Sequence, residues 1–412
     1  MLGTVSVTVP ESRRIVFLYL AAGALFAAIA ARGLTVPLYA HDLGASRIAV
    51  GALFSVSTLA GAVLALPSGV LVDRFGPRNL LAASLVLTAA SQLATAATTS
   101  VALLFVWQVL GGLAAGFQQP SLFSAVTESI SRARMGRAMG WLTLSMQSGF
   151  FLGPAVAGLA LRWIDLRADI AITTALLLFA VPGALLASQT RQHTGRGLAL
   201  REPLLALARQ PAFLPTAIGL IGITLTWGTI GAYLPVFGKE QLKLPEYQVG
   251  YLLALQALVN AASRIPAGSL VDRVRERWPI IVAGGAGWSV AMIALGHTTG
   301  FFWPAVVLGI GTPLMATAFV AMGVVFADLS TGSTRGVTMG TYGTLLFLGL
   351  SLGPLVFGPI VQRSYAGGFT VCAAVAVLLL VVMGFLQDLV RRRNAEALPG
   401  DSETRSPAAR QV

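Results

Sequence analysis

The chain has 412 residues, of which 56% are hydrophobic and 11% charged, with 28 Lys and Arg against 16 Asp and Glu for a net charge of +12. An ordinary soluble domain carries about 25% charge, so this set of side chains cannot coat a surface that faces water. With a mean hydropathy of +0.78 the composition implies a polytopic helical membrane protein and excludes disordered, collagen-like and disulfide-stapled folds.

Apolar windows bounded by charge, Gly and Pro clusters predict twelve membrane helices. The first six cover 15–38, 48–70, 79–98, 101–127, 138–161 and 169–188; the second six cover 213–237, 248–270, 280–297, 301–327, 337–361 and 367–387. The expected organisation is a cytoplasmic N-terminus (1–14), a six-helix bundle (15–188), a cytoplasmic linker (189–212), a second bundle (213–387) and a disordered cytoplasmic tail (388–412). Within the linker, 198–210 reads as an amphipathic helix on the inner membrane face, with Arg201 and Arg209 beside Leu204, Leu205 and Leu207. Arg13 and Arg14 before the first apolar run resemble the start of a signal peptide, but that run is long enough to span and its removal would leave an odd count. Cys372, the one cysteine, reads as a small buried hydrophobe.

An even count puts both termini on one side of the membrane. The segments on that side hold 20 of the 28 Lys and Arg. The other side holds Arg47, Arg162, Arg167, Lys239, Lys243 and Arg363, and Arg32 and Arg264 fall inside spans. The positive-inside rule therefore makes the termini cytoplasmic, in a multi-pass protein of the cell membrane. Topology accounts for the positive charge, and a nucleic-acid partner has no support.

The halves repeat at an offset of 198 to 200 residues. Pro37 aligns with Pro235, Gly51 with Gly250, Pro67 with Pro266, Gly69 with Gly268, Asp73-Arg74 with Asp272-Arg273, Gly111 with Gly311, Glu128 with Asp328 and Gly153-Pro154 with Gly353-Pro354. One duplication of a six-helix unit implies two bundles facing each other across a pseudo-two-fold axis, with a cavity between them.

Between spans two and three lies Gly69-Val70-Leu71-Val72-Asp73-Arg74-Phe75-Gly76-Pro77-Arg78, and between spans eight and nine lies its degraded copy, Gly268-Ser269-Leu270-Val271-Asp272-Arg273. This pair resembles the signature loops of the major facilitator superfamily, and the resemblance covers nearly the whole chain. It implies an all-α fold of two pseudo-symmetric six-helix bundles and transport by alternating access. The loops would then act as an inner gate: Gly69 allows close approach, Asp73 faces a neighbouring helix N-terminus, and Arg74 or Arg78 pairs with a carboxylate such as Glu128, with Gly76, Gly268, Asp272, Arg273 and Asp328 as the other gate candidates. In span five, Gly149, Gly153, Pro154 and Gly158 resemble the family's antiporter motif, which accompanies exporters, although Ala157 stands where a further Gly is usual. Span eleven carries the parallel set Gly349, Gly353, Pro354 and Gly358, so helix packing explains both sets equally well.

No enzyme chemistry stands out. Gly349-Leu350-Ser351-Leu352-Gly353 matches G-x-S-x-G formally but lies inside a span, and His41, His193 and His297 have no triad-like acid near them. There is no Walker A loop, no H-E-x-x-H and no Cys/His cluster, so neither a cofactor nor a metal is implied.

The resemblance places the solute near the midplane. An unpaired Arg at that depth costs at least roughly 2.5–3.5 kcal/mol, so Arg32 and Arg264 are the informative ionisable residues, and an anionic or carboxylate-bearing solute is their natural counter-charge. Snorkelling towards the nearer interface is the competing reading for both. Gln108, Gln118, Gln119, Gln147, Trp227, Tyr233, Gln256, Asn260 and Tyr342 complete the candidate lining. No Asp or Glu sits in a span centre, so proton coupling would fall to Glu128 and Asp328 or to the solute itself. The expectation is a monomeric secondary transporter that exports a small organic compound, with membrane lipid and a solute as partners and protons as the candidate coupling ion. The alternatives are uptake of an organic anion and a non-transporting membrane receptor.

Overall fold

The computed structural model describes residues 11–130, 134–185, 201–330 and 335–396. These form fourteen α-helices, as expected where lipid leaves the backbone no partner but itself. The first half holds α1 (Glu11–Asp42), α2 (Arg47–Ala65), α3 (Ser68–Phe75), α4 (Pro77–Ala97), α5 (Val101–Glu128), α6 (Met135–Ala160) and α7 (Leu166–Leu185). A short α8 (Arg201–Ala208) lies in the linker and buries Leu207. The second half holds α9 (Phe213–Glu240), α10 (Glu246–Arg273), α11 (Trp278–Gly296), α12 (Phe302–Asp328), α13 (Arg335–Arg363) and α14 (Tyr365–Glu396).

Eleven of these helices are long and apolar enough to cross a membrane. The twelfth span is α10, which matches α9 in length at 28 residues but carries Gln256, Asn260, Ser263 and Arg264 along its middle. Its polarity removes it from the hydropathy count without shortening it. Residues 388–396, expected in the tail, continue α14 instead, where Arg392 pairs with Asp388 one turn away at 2.8 Å and Arg391 pairs with Glu276.

The packing diagram is duplicated. In the first half α1 packs on α6 and α7, α5 on α2 and α4, and α4 on α7; in the second, α9 packs on α13 and α14, α12 on α10 and α11, and α11 on α14. Small residues set the closest approaches. A Cβ added to Gly153 would fall 2.2 Å from Ala27 O, and one added to Gly353 would fall 2.2 Å from Leu225 O, so each glycine lets its helix touch the backbone of its neighbour.

The halves meet along α2 with α13, α6 with α10, and α1 with α9. Three buried clusters follow from this arrangement. One is shared by both halves and includes Leu34, Leu38 and Val50 with Phe237, Val249 and Val361. These residues lie towards the face opposite the termini, called here the far face. The other two lie towards the terminal face and each stays within one half: Leu18, Leu85 and Leu142 in the first, Leu220, Ile281 and Phe326 in the second.

Candidate functional site

Arg32 sits in the half of α1 nearer the far face, inside the first bundle. Its Nη2 donates to Ser57 Oγ at 3.1 Å and to Gln108 Oε1, so α2 and α5 both hold it. Gly111 makes the room, because a Cβ there would lie 3.1 Å from Arg32 Nη1 and 2.8 Å from Ser91 Oγ. A cation at this depth is thus solvated by neutral acceptors of its own bundle.

Arg264 is placed differently. It is exposed, donates from Nε to Asn260 Oδ1 at 3.2 Å, and makes no other hydrogen bond among the described residues. It also stands in electrostatic range of the Tyr342 hydroxyl. Gln256, Asn260 and Arg264 fall four residues apart, on one face of α10. Nε2 of Gln256 is buried without a partner. A chain of edge-to-face rings crosses the same half: Trp227 of α9 meets Phe319 of α12 at 5.3 Å, Phe319 meets Tyr342 of α13 at 6.4 Å, and Tyr342 meets Phe326 at 5.2 Å.

The remaining lining candidates scatter. Gln118 is buried and donates to Thr88 Oγ1 at 2.7 Å inside the first bundle, Gln147 is half-buried, and Gln119 is exposed. Tyr233 is fully buried where the halves meet; its hydroxyl donates to Pro354 O at 3.2 Å and occupies the space a side chain on Gly51 would need. Ser351 is buried within α13 and donates to Leu348 O, a helical setting unlike a nucleophile elbow.

The first signature loop is helical rather than open. Ser68 Oγ donates to Ala65 O at 2.7 Å beside Pro67, which has no N–H to offer, and the chain breaks there before α3 begins. Gly76, at φ +80°, closes α3 and leads directly into Pro77. The second copy has Ala267 in place of that serine, and Pro266 stays inside an unbroken α10. The side chain of Asp73 lies outside the described residues. Arg74 lies 5.4 Å from the Phe75 ring, Arg78 keeps a buried Nε without a partner, and Asp272 and Arg273 are exposed. Asp328 pairs with Arg277 rather than with Arg273.

Sequence reasoning missed the polar cluster on the far face. Glu240 at the end of α9 accepts from both Nε and Nη2 of Arg47 at 2.6 Å, from Tyr365 Oη at 3.0 Å, and faces His41 Nδ1 at 3.2 Å. Arg47 also lies 4.1 Å over the Tyr365 ring and donates to Val361 O. Next to it, Lys239 pairs with Asp42 at 2.9 Å and Glu246 at 3.1 Å. These contacts tie α1 and α2 to α9, α10, α13 and α14. The signal was available as five charges crowded at the far ends of spans one, two, seven and eight. A cleft of about 400 Å³ opens beside the cluster, between Tyr39, Leu43, Leu161 and Arg167. Asp169, in the first turn of α7, was also missed: it is 2% exposed and its Oδ2 has no partner.

The model of the Major Facilitator Superfamily matches residues 18–319 and 243–411. The chain belongs to this superfamily. Among curated proteins it is 26% identical over 379 residues to a chloramphenicol efflux pump of Mycobacterium tuberculosis, covering 88% of both chains. It is 20% identical over 332 residues to the quinolone resistance protein NorA of Staphylococcus aureus, covering 79% of this chain and 84% of the relative. Among solved structures, a mutant of the nucleoside transporter NupG superposes with a TM-score of 0.78 at 13% identity, over 90% of this chain and 99% of that one. A bacterial homologue of the lysosomal transporter Spinster, in an inward-facing unoccupied conformation, gives 0.74 at 14% identity, over 94% and 98%. As a transporter of this family the chain is a multi-pass membrane protein that moves small solutes. Among the described residues no group of three His, Cys, Asp or Glu is placed to hold a metal.

Proposed function

We propose that this protein exports a small organic solute by alternating access and that the structure is its inward-facing state. The observation that carries this reading is the contrast between the two faces. On the far face a shared apolar core and the Arg47–Glu240 cluster join the bundles, whereas on the terminal face each bundle keeps its own core. The repeat-related pair α5 and α12 shows no extensive packing among the described residues, and towards the terminal face the halves touch through α2 and α13. With the arginine count placing the terminal face in the cytoplasm, the cavity opens inward and the far face is the closed outer gate. Export is supported by the names of two relatives, an efflux pump and a resistance protein.

The solute is anionic or carries a carboxylate, because Arg264 offers donors with no acid in the second bundle's interior to receive them. Glu128, Asp328 and the buried Asp169 are the candidate proton carriers, the protein acts as a monomer, and the signature loops latch the inner face when it closes. Uptake of an anion would use the same site in the opposite direction.

The gate can be tested by labelling. Cys372 is buried, so Leu43→Cys in the outer cleft supplies one reactive thiol. In everted and right-side-out vesicles, Glu240→Gln is expected to raise its reaction with an impermeant maleimide from the outside. Unchanged labelling would remove the gate, and solute accumulation in right-side-out rather than everted vesicles would reverse the direction.

A further inference from the structure

We infer that the second bundle carries a solute-recognition surface that fits a flat aromatic monoanion: its carboxylate seated on Arg264, its ring set against the wall formed by Trp227, Phe319 and Tyr342. The inference rests on the proposed inward-facing cavity and deepens it from a charge to a shape.

The charge follows from unmatched donors. On one face of α10, Gln256 Nε2 is buried with no acceptor, and Arg264 spends Nε on Asn260 while both terminal nitrogens remain unbonded among the described residues. No Asp or Glu occurs between Glu246 and Asp272 or between Glu276 and Asp328, so the interior supplies donors without a matching acid. A planar guanidinium whose two terminal nitrogens point the same way accepts a carboxylate in two parallel hydrogen bonds, which a point-charge ammonium would not specify. Arg32 is less available for an end-on pair, because Gln108 and Ser57 hold its Nη2 and leave only Nε and Nη1 without a hydrogen bond among the described residues.

The shape follows from the rings. Trp227, Phe319 and Tyr342 come from three different helices, contact each other edge to face at interplanar angles of 84° and 74°, and are each only half-buried, so part of each ring is left uncovered. A further aromatic ring can extend such a series, gaining the quadrupole contact as well as the burial; a saturated ring of equal size gains the burial alone. The Tyr342 hydroxyl, within electrostatic range of Arg264, gives the wall a polar end on the side of the cation.

The test is calorimetric titration of the purified full-length protein with 2-naphthoate, its saturated counterpart decahydro-2-naphthoate and 2-naphthylmethylammonium. Naphthoate is expected to bind, the ammonium not to, and decahydro-2-naphthoate to bind about three- to tenfold more weakly than naphthoate. Arg264→Gln should weaken naphthoate roughly tenfold to a hundredfold, and Phe319→Leu should erase the preference for the aromatic ring while sparing the saturated acid. Thermal midpoints identify any variant that fails to fold, and Trp227→Leu takes the place of Phe319→Leu in that event. Equal affinity for the two acids, tighter binding of the ammonium, or wild-type affinity in Arg264→Gln would overturn the inference.

A lipid phosphate is the other anion that could reach Arg264. Naphthoate binding that persists in nanodiscs containing phosphatidylglycerol supports the solute, whereas its loss there, with binding intact in phosphatidylcholine, makes the site a headgroup site and overturns the inference. The maleimide assay on Leu43→Cys reports the gate without any solute. A responsive gate with no naphthoate binding defeats the inference alone, and an unresponsive gate defeats the transport reading beneath it.

Discussion

The two halves share one packing diagram and differ in how they treat their buried polar groups. In the first, Arg32, Gln108, Ser57 and the Gln118–Thr88 pair satisfy one another inside the bundle. In the second, Arg264 bonds only Asn260 of its own helix and Gln256 Nε2 has no partner among the described residues, although the first half also leaves Gln92 Nε2, Trp107 Nε1 and Arg78 Nε without one. A duplicated scaffold thus repeats the helix packing, while divergence of a few side chains ties one interior arginine across three helices and the other only to its own. The signature loops show the same divergence, since the Ser68 hydroxyl competes for a helical carbonyl and Ala267 cannot.

The common scaffold can be broken most severely. Gly153→Leu and Gly353→Leu each drive a side chain into a neighbouring backbone carbonyl, and both are expected to lose most folded protein, at a cost of about 3 kcal/mol or more, read as detergent-extracted monomer and thermal midpoint. A well-folded variant in either half would show that the close approach is not needed there.

The contact between the halves comes next. Glu240→Gln removes the charge that Arg47, Tyr365 and His41 share, and should shift the outward-closed equilibrium by about 1–3 kcal/mol, seen as faster outside labelling of Leu43→Cys. Little change in folded yield is expected, because the apolar far-face core remains.

The divergence is sharpened by a matched pair. Arg32→Gln strands Gln108 and Ser57 and should lower the thermal midpoint, by about 1–3 kcal/mol of stability, with solute affinity changed less. Arg264→Gln should do the reverse, sparing stability and weakening anion binding roughly tenfold to a hundredfold. Equal effects in both assays would dissolve the distinction between the halves. Smallest of all, Ser68→Ala should cost under about 0.5 kcal/mol while letting helix continue from α2 into α3, detectable as slower amide exchange around 66–69.

Much of this was legible in the chain itself. Composition dictated a helical membrane protein, twenty-residue apolar windows located the spans, and the landmark repeat forced two equivalent bundles, because lipid leaves the backbone few alternatives and duplicated residues find duplicated neighbours. Even α10, too polar to pass a strict hydropathy threshold, was among the twelve apolar windows, and the repeat gives it a counterpart in the first half. The site was less legible. Arg32 and Arg264 stood out equally as charges inside spans, and Tyr233 looked as available as Tyr342; nothing in one dimension told a side chain held by its own bundle from one facing open space.

The sequence by itself settled the solvent, the number of spans and the duplication, all of which depend on composition and periodicity along one chain. Only the tertiary structure decided which face holds the shared core, which partners each interior arginine bonds and which rings line up, because each of these depends on side chains brought together from different helices, as Arg32 meets Gln108 and Arg47 meets Val361.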